Sequence, residues 1–195
     1  SIVSDVISSF TAEHPAISIE LLLSDGYVDI VGQGFDLALR FGAVTDSTLR
    51  TRNLGHFRRI VCAAPSYIAQ HGAPQTPADL AHHNCLIMRF GTTLDNVWRF
   101  GSGKKPQAVT VRGNKTVNDG SLVRQWALNG HGIILKSELD VIGDVESDKL
   151  IALLEDFAPP PNPLQIMFPP GRAQPRRVRA LADAFSQALA ARTSK

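Results

Sequence analysis

Two arginines, Arg40 and Arg89, each close a run of apolar residues, Leu37-Ala38-Leu39 and Leu86-Ile87-Met88. A guanidinium at the end of a strand presents a planar fork of donors that can grip a carboxylate through two hydrogen bonds. Either arginine can equally pair with a neighbouring aspartate and touch no ligand, and both readings stand. Asn118-Asp119-Gly120 offers a second kind of chemistry. Short polar side chains there can cap a helix, or turn to an anion drawn by the free N–H groups and partial positive charge of the helix start. In an open α/β sheet the ligand lies at the carboxyl ends of the strands. That rule adds Ser24 and Asp25 after one strand, and Phe41 and Gly42 beside Arg40 after the next. It also adds Met88 and Phe90 on either side of Arg89; Ile133, which opens the apolar run after Gly130-His131-Gly132, is a further candidate contact.

These residues bind; they do not form a catalytic set. The sequence holds no GxSxG, GxxxxGK[ST], HExxH or CxxC pattern. His82 and His83 are adjacent and would point about 100° apart on a helix, a poor metal pair. Carboxylates are scattered with no acid/base pairing in sequence, so catalytic residues, metal and cofactor are all expected to be none. Cys62 and Cys85 sit in apolar stretches and read as buried small hydrophobes, with a redox pair as the other reading.

Charge narrows the partners. The 195 residues carry a formal net charge of +2, and the basic residues are dispersed, densest at Arg176, Arg177 and Arg179. That run reads as a solvated helix face, since nucleic-acid binders show a basic stripe or a reading motif. With 44% hydrophobic and 19% charged residues the composition is that of an ordinary globular domain. No apolar run approaches the roughly 20 residues of a membrane helix, and the N-terminus lacks a signal-peptide pattern. Together with the unpaired cysteines this points to a reducing cytoplasm.

The elements that must position the candidates can be read from periodicity. Ile2, Val3, Val6, Ile7 and Phe10 predict a helix ended by His14-Pro15. Ile17–Leu23 alternates as a strand, Ser24–Val31 reads as a turn with a short helix, and Phe35–Arg40 as a second strand. This order predicts parallel pairing. Further strands are expected at Thr51–Phe57, Arg58–Ala64, Cys85–Arg89, Val97–Phe100, Ala108–Arg112, Ile133–Leu135, Leu150–Leu154 and Leu164–Phe168. Helices are expected at Ala78–His83, after Asn118-Asp119-Gly120 with an apolar face of Leu122, Val123 and Trp126, at Ser137–Ile142, and at the C-terminus around Val178, Leu181, Phe185 and Leu189. Pro159-Pro160-Pro161-Asn162-Pro163 reads as a rigid connector.

One strand and one helix after that connector are too little for a domain of their own, so they return to the first lobe. The expected division is residues 1–65 and 164–195 for lobe I and 66–163 for lobe II. The chain crosses near Ala64–Tyr67 and Pro163–Phe168, and a ligand-binding cleft is expected between the lobes.

The stretch Ser24-Asp25-Gly26-Tyr27-Val28-Asp29-Ile30-Val31-Gly32-Gln33-Gly34-Phe35-Asp36-Leu37-Ala38-Leu39-Arg40-Phe41-Gly42 resembles the effector-domain signature of LysR-type transcriptional regulators. Cys62-Ala63-Ala64-Pro65-Ser66-Tyr67-Ile68, Pro77-Ala78-Asp79-Leu80, His83-Asn84-Cys85-Leu86, Asn118-Asp119-Gly120 and Gly130-His131-Gly132-Ile133 are similar to later parts of the same pattern, in the same order. The resemblance implies an α/β fold of two Rossmann-like lobes of the type II periplasmic-binding-protein kind, with two crossovers and a small-molecule effector in the cleft. It implies homodimers through the first helix and a second-lobe helix, tetramers in the full-length protein, and DNA contact only through an N-terminal winged helix-turn-helix. That segment, its linker helix and the effector domain's opening strand lie outside this sequence. A periplasmic solute-binding protein of the same fold is the alternative, and an enzyme on the scaffold a more distant one.

Overall fold

The computed structural model describes residues 2–24, 29–42, 48–101, 107–159, 161–171 and 173–193, the last three without their side chains. They divide into two compact units. Unit one combines the chain up to Ser24, the stretch ending at Phe57 and everything from Asn162 on; unit two is Arg58–Pro161. The sequence placed the crossings a few residues further on, at Ala64–Tyr67 and Pro163–Phe168.

Unit one opens with α1 (Ile2–Glu13), which buries Val6 and Phe10 one turn apart. Its end is set by Pro15, which disfavours helical backbone at His14. Strand β1 (Ala38–Phe41) and β2 (Arg50–Phe57) flank β11 (Asn162–Phe168), and both pairings are antiparallel. A bulge puts Leu54 out of register, so that Gly55 faces Leu164 and Asn53 faces Gln165. It lets Leu54 and Phe57, three positions apart, both turn inward. The closing helix α5 (Arg176–Thr193) packs on α1 and β2. It buries Val178, Ala182, Phe185 and Leu189, while Arg176, Arg177 and Arg179 face solvent as a charged face should.

Unit two is organised by β3 (Arg59–Ala63), antiparallel to β9 (Ile134–Ser137) on one side and β10 (Ile151–Leu153) on the other. Alternate residues of a strand point to opposite faces, and here both faces are covered. Val61 and Ala63 join Tyr67, Leu135 and Leu153 in one apolar cluster; Cys62 and Ala64 join Val123, Ala127, Ile134 and Val141 in another. That is why the strand reads as an unbroken apolar run. Next to β9 lies β4 (Ile87–Phe90), joined to it by a parallel bridge between Cys85 and Ile133. It also pairs with β5 (Thr93–Leu94) and, in parallel, with β8 (Thr116–Val117), while β6 (Val97–Phe100) and β7 (Gln107–Thr110) form a hairpin. The helices are α2 (Pro65–His71), α3 (Gly120–Leu128) and α4 (Glu138–Glu146), with a 3₁₀ turn at Pro77–His82.

Four expectations are corrected. Ile17–Leu23 forms no strand: no described segment pairs with it, and Leu22 and Leu23 are 55% and 80% exposed. Alternation is only half of a strand; the ladder partner is the other half. Of the expected Ser24–Val31 helix, residues 25–28 lie outside the described residues, and Ile30–Gly34 is a turn. Parallel pairing occurs only at β4–β8 and at the Cys85–Ile133 bridge among the described residues; the other strand pairs are antiparallel. Helix α3 faces the core with Val123 and Ala127, while Leu122 is exposed.

Glycines mark where backbones approach. A Cβ at Gly113 would lie 1.8 Å from the Cys85 carbonyl oxygen, which the sheet cannot move, whereas one at Gly143, inside α4, meets nothing within 4 Å. Gly113→Ala should therefore cost ~3 kcal/mol or more, and Gly143→Ala should stabilise by about 0.5–1 kcal/mol. Urea denaturation of the two variants checks the opposite signs.

Candidate functional site

In unit two the strand order brings several candidates to one edge. Strands β4 and β8 are parallel, with Met88 opposite Val117. Arg89, still within β4 and opposite Leu94, and Asn118, just past β8, are therefore neighbours towards the carboxyl end of this pair. Strand β9 runs the same way, because its bridge to Cys85 is also parallel.

Arg89 is exposed and its guanidinium makes one long hydrogen bond, 3.5 Å to the Thr92 carbonyl. No carboxylate pairs with it among the described residues. Phe90 is 44% exposed, at the mouth of the β4–β5 hairpin. Asn118 is exposed, and Asp119 is the N-cap of α3, its Oδ1 accepting the Leu122 N–H at 2.6 Å. The helix closes on Gly130 in left-handed conformation, with His131 N–H donating to the Trp126 carbonyl and Gly130 N–H to that of Ala127.

Two candidates are not rim residues. Met88 is buried in the cluster with Leu86 and Val123. Ile133 is fully buried, and it bridges Cys85, four positions before Arg89, so it lies at the amino end of β9. Its backbone is spent as well: its N–H donates to the Asn84 carbonyl and its carbonyl accepts from Leu86. The residue near the carboxyl end of β9 is Lys136, which the sequence reading missed. Its ammonium pairs with Asp140 at 2.8 Å and packs so close to Gly120 that a Cβ there would lie 2.8 Å from Nζ, and the side chain as a whole is 13% exposed. The strand-end rule, carried to the end of the apolar run Ile133–Leu135, would have pointed to it.

In unit one Ser24 and Arg40 are exposed and each engages other groups, and Asp25 lies outside the described residues. Phe41 packs edge-on against Phe57 with ring centroids 6.4 Å apart. Gly42 takes φ +95° and donates its N–H to the Pro163 carbonyl.

The described residues contain no group of three or more His, Cys, Asp or Glu side chains able to hold a metal, and no helix long and apolar enough to cross a membrane. Both thiols have no solvent exposure, and burial pushes each up to about 12.

Exposed polar residues at strand ends of an α/β unit are where such folds commonly hold ligands. Residues 1–190 match the family described as the LysR substrate binding domain, and the chain belongs to that family. It is 31% identical over 190 residues to the HTH-type transcriptional regulator CrgA of Neisseria meningitidis serogroup B, covering 96% of this chain and 62% of the relative. It is 32% identical over 160 residues to the HTH-type transcriptional activator TtdR of Escherichia coli K12, covering 82% of this chain and 52% of the relative. The CrgA regulatory domain, solved as part of a LysR-type transcriptional regulator from Neisseria meningitidis, superposes with a TM-score of 0.85 at 30% identity, covering 96% of this chain and 91% of that one. The fold is therefore that of LysR-type regulatory domains. The chain spans about half the length of several of the curated regulators it matches.

The thiol environment has a direct consequence. With negligible thiolate at neutral pH and no path for a reagent, Cys62 and Cys85 should resist iodoacetamide in the native chain at pH 8 and both react in 6 M guanidinium, an outcome read by intact-mass spectrometry.

Proposed function

We propose that this chain is the effector-sensing part of a bacterial LysR-type transcriptional regulator, in which a small polar or anionic molecule binds at the strand ends. Arg89 is the principal grip, with Phe90 and Asn118 beside it and Asp119 fixing the helix behind. Ser24, Asp25, Arg40, Phe41 and Gly42 are proposed as ligand contacts of unit one. The observation that carries this reading is Arg89 itself. It is an exposed guanidinium at the shared carboxyl end of parallel strands, with no carboxylate partner among the described residues. DNA recognition belongs to a helix-turn-helix segment elsewhere in the whole protein, which acts in the cytoplasm as a dimer or tetramer. The basic residues of this chain are too dispersed to read DNA.

Two experiments test this. A thermal-shift screen of small carboxylates should find an effector, and Arg89→Ala should then weaken its binding by about thirty- to several-thousand-fold, the equivalent of about 2–5 kcal/mol. The unliganded melting temperature should barely move, because Arg89 makes only one long hydrogen bond, to the Thr92 carbonyl, and no ion pair among the described residues. Equal affinity in the variant would make Arg89 structural. In the second, gel-shift titration at physiological salt should show no sequence-specific complex between this chain alone and the regulator's own promoter.

A further inference from the structure

A group of aromatic and imidazole side chains in unit two, away from the strand ends, has no part in the reading above. Tyr67 of α2 is 2% exposed, and its hydroxyl oxygen accepts the Asn84 N–H at 2.9 Å and lies 3.2 Å from His83 Nδ1. His71, one turn further along α2, stacks on the Tyr67 ring with centroids 4.4 Å apart and places Nδ1 3.1 Å from the Tyr67 carbonyl. Asp79 and His82 face the same group from the 3₁₀ turn, and Cys85 from the start of the next strand.

The two imidazoles differ in what a proton does to them. A carbonyl only accepts, so His71 already donates from Nδ1, and a second proton on Nε2 leaves that bond intact. Tyr67 has one proton to give, and its oxygen accepts from the Asn84 N–H. When the hydroxyl donates to His83, Nδ1 is the acceptor and His83 is the neutral tautomer protonated on Nε2. A proton on Nδ1 removes that acceptor, so the hydroxyl must turn away and its oxygen faces a second N–H beside that of Asn84.

What Tyr67 holds makes this more than a local loss. Asn84 donates its side-chain amide to the His131 carbonyl at 2.7 Å and to Asn114 Oδ1 at 3.0 Å, and accepts from the Asn114 N–H at 2.9 Å. Its carbonyl accepts the Ile133 N–H. One residue thus fixes the start of β4, the turn before β8 and the turn before β9, the three parallel strands of the proposed effector edge. We infer that the Tyr67–His83 hydrogen bond is a proton-sensitive latch: protonating His83 releases Tyr67 and, through Asn84, loosens the amino ends of β4, β8 and β9, so that the domain responds to acidity as well as to its effector.

Burial first, and the neighbouring His71 second, hold His83 below its usual 6.5, with His82 adding to them and Asp79 opposing. A lowered folded-state value means the unfolded chain binds the proton more readily. The contribution of His83 to stability is then complete above pH 6.5 and is lost as pH falls towards the folded value.

The test is NMR of the whole chain from pH 8 to pH 5. The amide resonances of Asn84, Asn114 and Ile133 should move in one step that shares its midpoint, below 6.5, with the His83 ring protons. His83→Gln keeps an acceptor that does not titrate, and should abolish the step; His71→Gln should leave it in place. Amides that stay fixed while His83 titrates would overturn the latch, as would a step surviving in His83→Gln. If His83→Gln does not fold, a mismatch between amide and ring midpoints in the parent chain overturns it equally.

Discussion

Backbones approach one another closely around Asn84 and Cys85 in unit two, and the proposed effector edge depends on it. Gly113 and Gly132 leave no space for a side chain there: a Cβ at Gly132 would stand 2.4 Å from the Asn84 carbonyl oxygen, as one at Gly113 would crowd that of Cys85. Only glycine allows such contact. With the gap closed, Cys85 N–H reaches the Arg112 carbonyl and Ile133 N–H reaches that of Asn84, and β9 is aligned with β4. Parallel alignment then decides which residues share an edge. A slip of one position would move Met88 to the face that Ile87 occupies and undo its pairing with Val117.

Two ion pairs hold the surroundings of that edge. Arg59 of β3 grips Asp95 with both terminal nitrogens and also donates to the Leu135 carbonyl. Asp95 in turn donates its N–H to the Met88 carbonyl and accepts from the Trp98 indole, so the strand bearing Arg89 is tied to the centre of the sheet. Arg124 of α3 meets the buried Asp144 of α4 through two hydrogen bonds of 2.5 and 2.6 Å. Asp144 also accepts from Lys149 and Leu150 through its carbonyl. A buried carboxylate is costly unless its oxygens are satisfied, and such pairs favour one arrangement more than they add stability. Here the arrangement selected is the seating of α3, whose first turn carries Asp119.

Much of this was legible in the sequence. The apolar runs of β3, β4 and β9 read as strands, and helix signals at Pro15, Asp119 and Gly130 act in the structure as local chemistry requires. What could not be read is what depends on distant residues. Ile17–Leu23 alternates correctly and lacks a partner; β11 inserts antiparallel between β1 and β2 although the order of elements suggested parallel pairing. Arg59 and Asp95 are 36 positions apart with nothing local to link them. Asn84 lies in a segment quoted only for its resemblance, and its role as a tie among three turns appears only when those turns meet. Met88 and Ile133 were chosen by nearness to a strand end, a rule that does not say which way a side chain points or which end of the strand is meant.

The same geometry separates what must be kept from what can change. Met88 and Leu86 lie in one buried cluster and Ile133 in the other, and cutting any of them to alanine would open a cavity, at about 2–5 kcal/mol for a large side chain. Arg89, Phe90 and Asn118 are exposed and contribute little to folding, since exposed polar and apolar side chains away from special backbone positions shift stability by about 0.5 kcal/mol or less. Asp119 and Lys136 fall between these groups: one caps a helix, the other is a mostly buried ammonium paired with Asp140. In the proposed reading the exposed residues at the carboxyl ends set the choice of effector while the buried ones preserve the register. Register is fixed from the amino ends, at Asn84, so a change there reaches the proposed rim along the strands themselves.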